Sequence, residues 1–357
     1  MTKIPFNEAE LVVQGTVPGQ GPGAGMPRFT TPITPKENLY MALRGETPCW
    51  VPLTGEAHSI NPRILPDNVC RGFVNDLEEP ELTIKDYGGI GWFNTKWVFE
   101  ELVNGATTEA GQKQLEDIND WKTLEFPDVD SYDWARSAEI NKGYFNRDYI
   151  AKCTMFTGFW ERLMAVMDVT DAAMSLIDED CEDAIHEFFD ALADLYIKTL
   201  GHMKEAYGIE CVTFHDDWGT QHSQFFSVET NREMVAPHMK KVADWCHENG
   251  IIFELHSCGL NEKNVPVMIE IGVDMWNGQP MNDKCMLAHK YGDQILIGVD
   301  APEVPADVPE AEARAKAQAF WESIKDCRCM VNPRYAPNKY FLEELYKLSR
   351  EYYASIG

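Results

Sequence analysis

The sequence predicts an α/β protein, a (β/α)8 TIM barrel with a Gly/Pro-rich N-terminal arm over residues 1–36 and an insertion after its second strand, at about 104–149. Three observations predict it. Strand-like segments alternate with amphipathic helical ones along most of the chain. The last three strands recur every ~20 to 35 residues, too regularly for strands and helices sorted into separate blocks. The rival fold is an open doubly wound sheet. No Gly-x-Gly-x-x-Gly follows an early strand, so a dinucleotide-binding version has no support.

The elements follow in order. Residues 14–36 are rich in Gly and Pro, which excludes a helix or a central strand. They are expected as an irregular arm on the barrel or on a neighbouring subunit, or as a mobile tail. Thr34-Pro35 opens a helix that runs to about Arg44, since Thr caps and Pro suits the first turn. Candidate strands cover 50–56, 91–98, 150–157, 210–216, 251–258, 273–279, 295–300 and 327–332. Ile185, Phe188, Phe189, Leu192, Leu195, Tyr196 and Leu200 share helical spacing and predict a helix over 184–207. Further helices are expected at 231–249, stopped by Asn249-Gly250, and at 309–324 and 338–353. The polar stretch 104–149 carries Asp117, Asp120, Trp121, Asp128, Asp130, Tyr132 and Trp134. It reads as a lid or interface, or as a plain solvated excursion. Residues 37–357 read as one domain.

Acidic residues outnumber basic ones 58 to 31, for a net charge of −27. That argues against nucleic acid and an anionic membrane surface as partners, and against a strongly polyanionic substrate unless arginines cluster locally. Ten scattered cysteines form no framework and read as reduced thiols of a cytoplasmic protein. No apolar run approaches the ~18 residues of a membrane span.

The chemistry concentrates at 251–258. Side chains alternate on a strand, so Glu254, His256 and Cys258 share a face. Imidazole and thiolate two residues apart suit zinc. The alternative is a core histidine beside a structural cysteine. Other predicted strand ends are also polar: Glu56 and His58; His215, Asp216, Asp217 and Trp218; Asn277 and Gln279; Asp300; and the run from Cys327 through Cys329 to Asn332. In a (β/α)8 barrel the site lies at such ends. Only one of Asp216 and Asp217 enters a site if the strand continues, with a helix cap or salt bridge as the alternative role. Trp92, Trp97, Phe159, Trp160, Trp218 and Trp276 are candidates to wall an aromatic ligand, or are ordinary core.

The runs Phe214-His215-Asp216-Asp217-Trp218-Gly219-Thr220-Gln221, Leu255-His256-Ser257-Cys258-Gly259, Ile269-Glu270-Ile271-Gly272-Val273-Asp274, Lys290-Tyr291-Gly292-Asp293 and Gly298-Val299-Asp300 resemble the uroporphyrinogen decarboxylase superfamily. The similarity spans roughly residues 34–350 and is to the branch of zinc- and corrinoid-dependent methyltransferases. It implies a (β/α)8 barrel. It also implies methyl transfer between a small donor, best a methoxylated aromatic, and the cobalt of a corrinoid held by a separate protein docked on the rim. Such O-demethylation belongs to anaerobic one-carbon metabolism. Alternatives are a methylcorrinoid:thiol methyltransferase, a decarboxylase and a non-catalytic binding barrel. The single Arg63 after the first strand is wrong for a polycarboxylate. The resemblance implies His256 and Cys258 as zinc ligands. The third ligand is expected from Cys329, with Glu254, Asp217 or Tyr335 in reserve, or the site holds no metal. Asp217 would orient a ligand or handle a proton, and Glu56 would face it. Trp218, Asn277, Gln279, Asp300, His58 and Tyr335 are the expected substrate contacts, and a homodimer is expected.

Overall fold

The computed structural model describes residues 4–17, 26–101 and 105–356. Residues 1–3 and 18–25 of the expected arm and residue 104 of the expected insertion lie outside the described residues. The arm is not irregular throughout. After a short 3-10 helix, Glu8–Leu11, strands β1 (Val13–Val17) and β2 (Met26–Phe29) pair antiparallel as an isolated ribbon. The helix α1 (Pro35–Leu43) starts where Thr34 caps it. The Thr34 hydroxyl accepts from the Glu37 N–H at 3.1 Å, and the Glu37 carboxylate accepts from the Thr34 N–H at 2.8 Å.

Two expected strands do not form. At 50–56, Pro52 lacks a ladder N–H, and Leu53 makes only an isolated parallel bridge to Val331. The chain then continues into β3 (Ala57–Ile60) and α2 (Pro66–Arg71). At 91–98, Phe93 and Asn94 take φ of 59° and 56°, a left-handed conformation that ends an extended run. Instead β4 (Gly89–Ile90), β5 (Lys96–Glu100) and β6 (Gly105–Thr108) form a separate antiparallel meander. The stretch beyond is folded, with 3-10 turns and α3 (Trp134–Ile140).

From there strands and helices alternate. In order come β7 (Ile150–Met155), α4 (Phe159–Met167), α5 (Val169–Ser175), α6 (Glu182–Tyr207) and β8 (Cys211–His215). Next, α7 (Val228–Thr230) passes through a π turn, Asn231–Val235, into α8 (Ala236–Glu248). Then follow β9 (Ile252–Ser257), α9 (Val265–Ile271), β10 (Met275–Gly278), α10 (Lys284–Tyr291), β11 (Leu296–Asp300), α11 (Glu310–Ile324), β12 (Cys329–Asn332) and α12 (Lys339–Ile356). Strands β3 and β7 to β12 belong to one sheet, and its ladders β7–β8, β8–β9, β10–β11 and β11–β12 are parallel. Parallel strands with helical crossovers make this an α/β fold of the TIM-barrel kind. Seven strands, not eight, form the sheet among the described residues.

The chain divides into two compact units. One comprises residues up to His58, Arg147–Ile150 and everything from Asp274. There the N-terminal segment is tied to α12. Buried Glu10 accepts from the Tyr346 hydroxyl and from Arg350 Nε, both at 2.7 Å, and Phe29 lies 4.9 Å from the Tyr346 ring. The other unit, Ser59–Asn146 with Ala151–Val273, holds the ladder β7–β8–β9. Its core is built largely by α6, whose Ile185, Phe188, Phe189, Leu192, Tyr196 and Leu200 are fully buried. Among the described residues no helix is long and apolar enough to cross a membrane.

Candidate metal centre

The parallel register of β8 and β9 sets His215 opposite His256 at the C-terminal ends of both strands. Their rings lie 4.8 Å apart. The chain leaves β8 through Asp217 and β9 through Cys258. Donor atoms of His215, Asp217, His256 and Cys258 all fall within 4.8 Å of one another, each side chain half-buried. A tetrahedral zinc with bonds of ~2.0–2.3 Å spaces its ligands about 3.3–3.8 Å apart. The 3.5 Å between Cys258 Sγ and His256 Nε2 matches that spacing. Two imidazoles, a thiol and a carboxylate are a donor set that suits zinc.

The loops that carry these groups are held by close approach. Gly259 has φ of 87°, and a Cβ there would meet the Gly219 backbone at 2.2 Å. Asp217 Oδ1 accepts from the Cys258 N–H at 2.7 Å, and the Ser257 hydroxyl accepts from the Trp218 N–H at 3.0 Å. These bonds tie the end of one strand to the end of the next.

A second layer orients His215. Its Nδ1 pairs with Glu161 Oε2 at 2.9 Å, and Glu161 Oε1 accepts from Arg71 Nη2 at 3.0 Å. With Nδ1–H donating to the carboxylate, the other ring nitrogen is left as the ligand atom. Glu161 and Arg71 are both buried. Burial pushes the Glu161 carboxyl up, but Arg71 and His215 outweigh it and hold it down at about 2. Burial lowers His215, yet the Glu161 and Asp217 carboxylates outweigh that and raise it above its ordinary value. Burial, and then the Asp217 charge, push the Cys258 thiol far up. A bound cation reverses that by stabilising the thiolate.

Asp216 does not enter the cluster. It is fully buried and accepts from the Trp160 and Glu161 N–H groups at 3.2 and 2.9 Å, so it caps the first turn of α4. It also accepts from Trp218 Nε1 at 3.0 Å. Burial, and then the Glu161 charge, raise its carboxyl to about 7. Gly158 permits the approach, since a Cβ there would lie 2.5 Å from Asp216.

Of the expected site residues, Asp217, His256 and Cys258 come together. His215 joins them, although the sequence reading did not single it out as a ligand. Its signal was the matched register of His-Asp-Asp and His-Ser-Cys on neighbouring strands. Glu254 is not a ligand: Lys152 Nζ at 2.9 Å and the Thr213 hydroxyl at 2.6 Å occupy its carboxylate one layer down. Cys329 is also absent from the cluster. It opens β12 at the strand's N-terminal end, whereas ligands at a barrel mouth come from C-terminal ends. Trp218 is fully buried. Trp92, Trp97, Phe159, Trp160 and Trp276 are buried core as well.

The other expected residues lie in the first unit. Glu56 accepts from Trp50 Nε1 at 2.8 Å and the Leu53 N–H at 3.0 Å. It lines a cavity of about 520 Å³ with Met26, Phe29, Tyr149 and Tyr346. Burial raises its carboxyl to about 7, and burial lowers His58. Asp300 is engaged by Lys284 Nζ at 2.6 Å and Asn332 Nδ2 at 2.9 Å. Asn277 and Gln279 flank the end of β10, and Tyr335 follows β12, exposed.

No family model matches the chain, and no curated protein does. Solved structures similar to it include 2,3-dimethylmalate lyase of the PEP mutase/isocitrate lyase superfamily, at 9% identity and TM-score 0.30, over 57% of this chain and 60% of the lyase. A sugar phosphate isomerase/epimerase from Parabacteroides distasonis aligns at 10% identity and TM-score 0.30, over 67% of this chain and 81% of that one. An endo-β-1,4-xylanase from Gloeophyllum trabeum aligns at 10% identity and TM-score 0.34, over 62% and 81%.

Proposed function

We propose that this protein is a zinc-dependent methyltransferase of the corrinoid-linked branch of the uroporphyrinogen decarboxylase superfamily. It moves a methyl group from a small donor, best an aryl methyl ether, to the Co(I) of a separate corrinoid protein. The observation that carries the reading is the cluster of His215, Asp217, His256 and Cys258 at two adjacent strand ends.

His215, His256 and Cys258 would hold the ion, and three ligands leave a position open for substrate. Zinc there supplies Lewis acidity, which lowers the barrier to expelling a phenolate. Glu161 keeps the His215 Nδ1 proton and fixes the ring. Asp217 places Cys258 through its Oδ1 and would handle a proton at the departing oxygen. The transfer would break the methyl–oxygen bond, the methyl passing to the partner protein's Co(I) and the oxygen leaving with the bonding pair. A decarboxylase reading fits poorly, because Arg63 is held by Asp76 at 2.8 Å and by the Glu78 and Pro80 carbonyls.

Purified enzyme, reduced corrinoid protein and a panel of methoxyarenes should convert the Co(I) spectrum to that of methyl-Co(III). Cys258→Ser and His256→Ala should lose the metal of this centre and the transfer while keeping the circular dichroism of the fold. Near-normal transfer by either variant, or no conversion with any donor, would sink the reading. Methyl transfer from methylcobalamin to thiols instead would redirect it to the thiol-acceptor class.

A further inference from the structure

Cys327 and Cys329 stand apart from the centre just described, and their surroundings have a chemistry of their own. The two thiols, two residues apart, act electrostatically on each other, and Cys285 acts on both. His289 lies one helical turn beyond Cys285 on α10 and acts on Cys327. All of this gathers at the end of α11. Cys285 Sγ and His289 Nε2 both reach the Ser323 carbonyl, at 3.4 and 2.8 Å. Cys327 Sγ reaches the Ile324 carbonyl at 3.2 Å. Those carbonyls belong to the last turn of a fifteen-residue helix, the negative end of its dipole.

We propose that Cys285, Cys327, Cys329 and His289 form a second metal site that takes a zinc-class cation. Three thiols and an imidazole are the Cys3His donor set of structural zinc sites. The helix end adds negative potential. His289 is exposed and Cys285 half-buried, which provides an entry path, while Cys329 is buried and anchors the floor. No three of these four donors lie within 4.8 Å of one another as those of the first cluster do. Closure therefore requires Cys285 and His289 to leave the Ser323 carbonyl by side-chain rotation. Each thiol releases its proton to solvent as it binds. The closed site would clamp α10, the end of α11 and the start of β12, and its role is structural.

The test uses the full chain with zinc and cobalt(II) as probes. Equilibrated protein should hold about two zinc ions per chain, falling to about one in Cys327→Ser and to about one in Cys258→Ala. In a Cys258→Ala background, cobalt(II) should still give a thiolate charge-transfer band, and adding Cys285→Ser with Cys327→Ser should abolish it. No band in that background, or a band that survives both serines, overturns the proposal. If Cys258→Ala holds as much zinc as wild type and Cys327→Ser holds none, the methyltransferase centre fails and the second site stands.

Discussion

Replacing Glu161 by Gln tests the layer that orients His215. The wild-type carboxylate sits between Arg71 at 3.0 Å and His215 at 2.9 Å, with side chains 9% and 7% exposed for Arg71 and Glu161. Its pKa is held at about 2 against an ordinary 4.5. That depression corresponds to about 3 kcal/mol of stability in the metal-free protein. Because the folded value is depressed, the stability is fully present above about pH 4.5 and is lost as pH falls through about 2. Gln removes it and leaves buried Arg71 with only the Asp217 and Asp67 charges to offset it; losing one partner of a buried pair costs ~3–5 kcal/mol at most. The variant should thus be about 3 kcal/mol less stable at neutral pH, and the difference should shrink as acid titrates the wild type. Loss of a carboxylate behind a ligating imidazole should also weaken zinc about 10- to 100-fold. Guanidinium unfolding of chelator-stripped protein across pH measures the first effect, and zinc competition against a chromophoric chelator measures the second. Equal stability at every pH, together with zinc affinity within about twofold of wild type, would refute the relay.

Lys152→Met should cost about 3–5 kcal/mol by leaving Glu254 buried beside Thr213 alone, and adding Glu254→Leu should recover most of it; urea unfolding of the cycle decides, and a neutral single variant would deny the pair its structural role. Glu56 is raised from 4.5 to about 7, so the fold retains a proton that the unfolded chain has given up, and stability falls by up to about 3 kcal/mol as pH rises through that window. Glu56→Gln should flatten this slope in thermal melts, and an unchanged slope would place the titration elsewhere, with Asp216 the next candidate. Glu10→Gln should destabilise the fold by about 3 kcal/mol by stripping buried Arg350 of its counter-ion; limited proteolysis of the N-terminal ribbon should accelerate, and unchanged cleavage would show that the ribbon is held by its apolar contacts instead.

Much of the fold is legible in local pattern. The apolar stripe of α6, the Thr34 cap and the parallel strands from β7 onward follow from periodicity and end signals, because those features depend on residues within one or two turns. The failures are local too, but of another kind. Residues 91–98 read as a strand by composition, while the left-handed Phe93 and Asn94 redirect the chain into an antiparallel meander. Pro52 denies the first segment a ladder.

The site divides the same way. Alternation on one strand places His256 and Cys258 together, so the sequence by itself determined that pair. It could not determine which strand lies beside theirs, and that neighbour's register brings in His215 and Asp217. Nor could it separate Asp216 from Asp217, since the point where β8 ends decides which becomes a helix cap and which a site residue. Cys329 was misplaced because β12 begins at that residue, which puts its side chain at the strand's N-terminal end while the C-terminal end lies at Asn332. The Arg71–Glu161–His215 layer joins residues as many as 144 positions apart in sequence. Only tertiary structure decided it, because hydrogen bonds and ion pairs act over a few ångströms of space, and sequence separation carries no information about that distance.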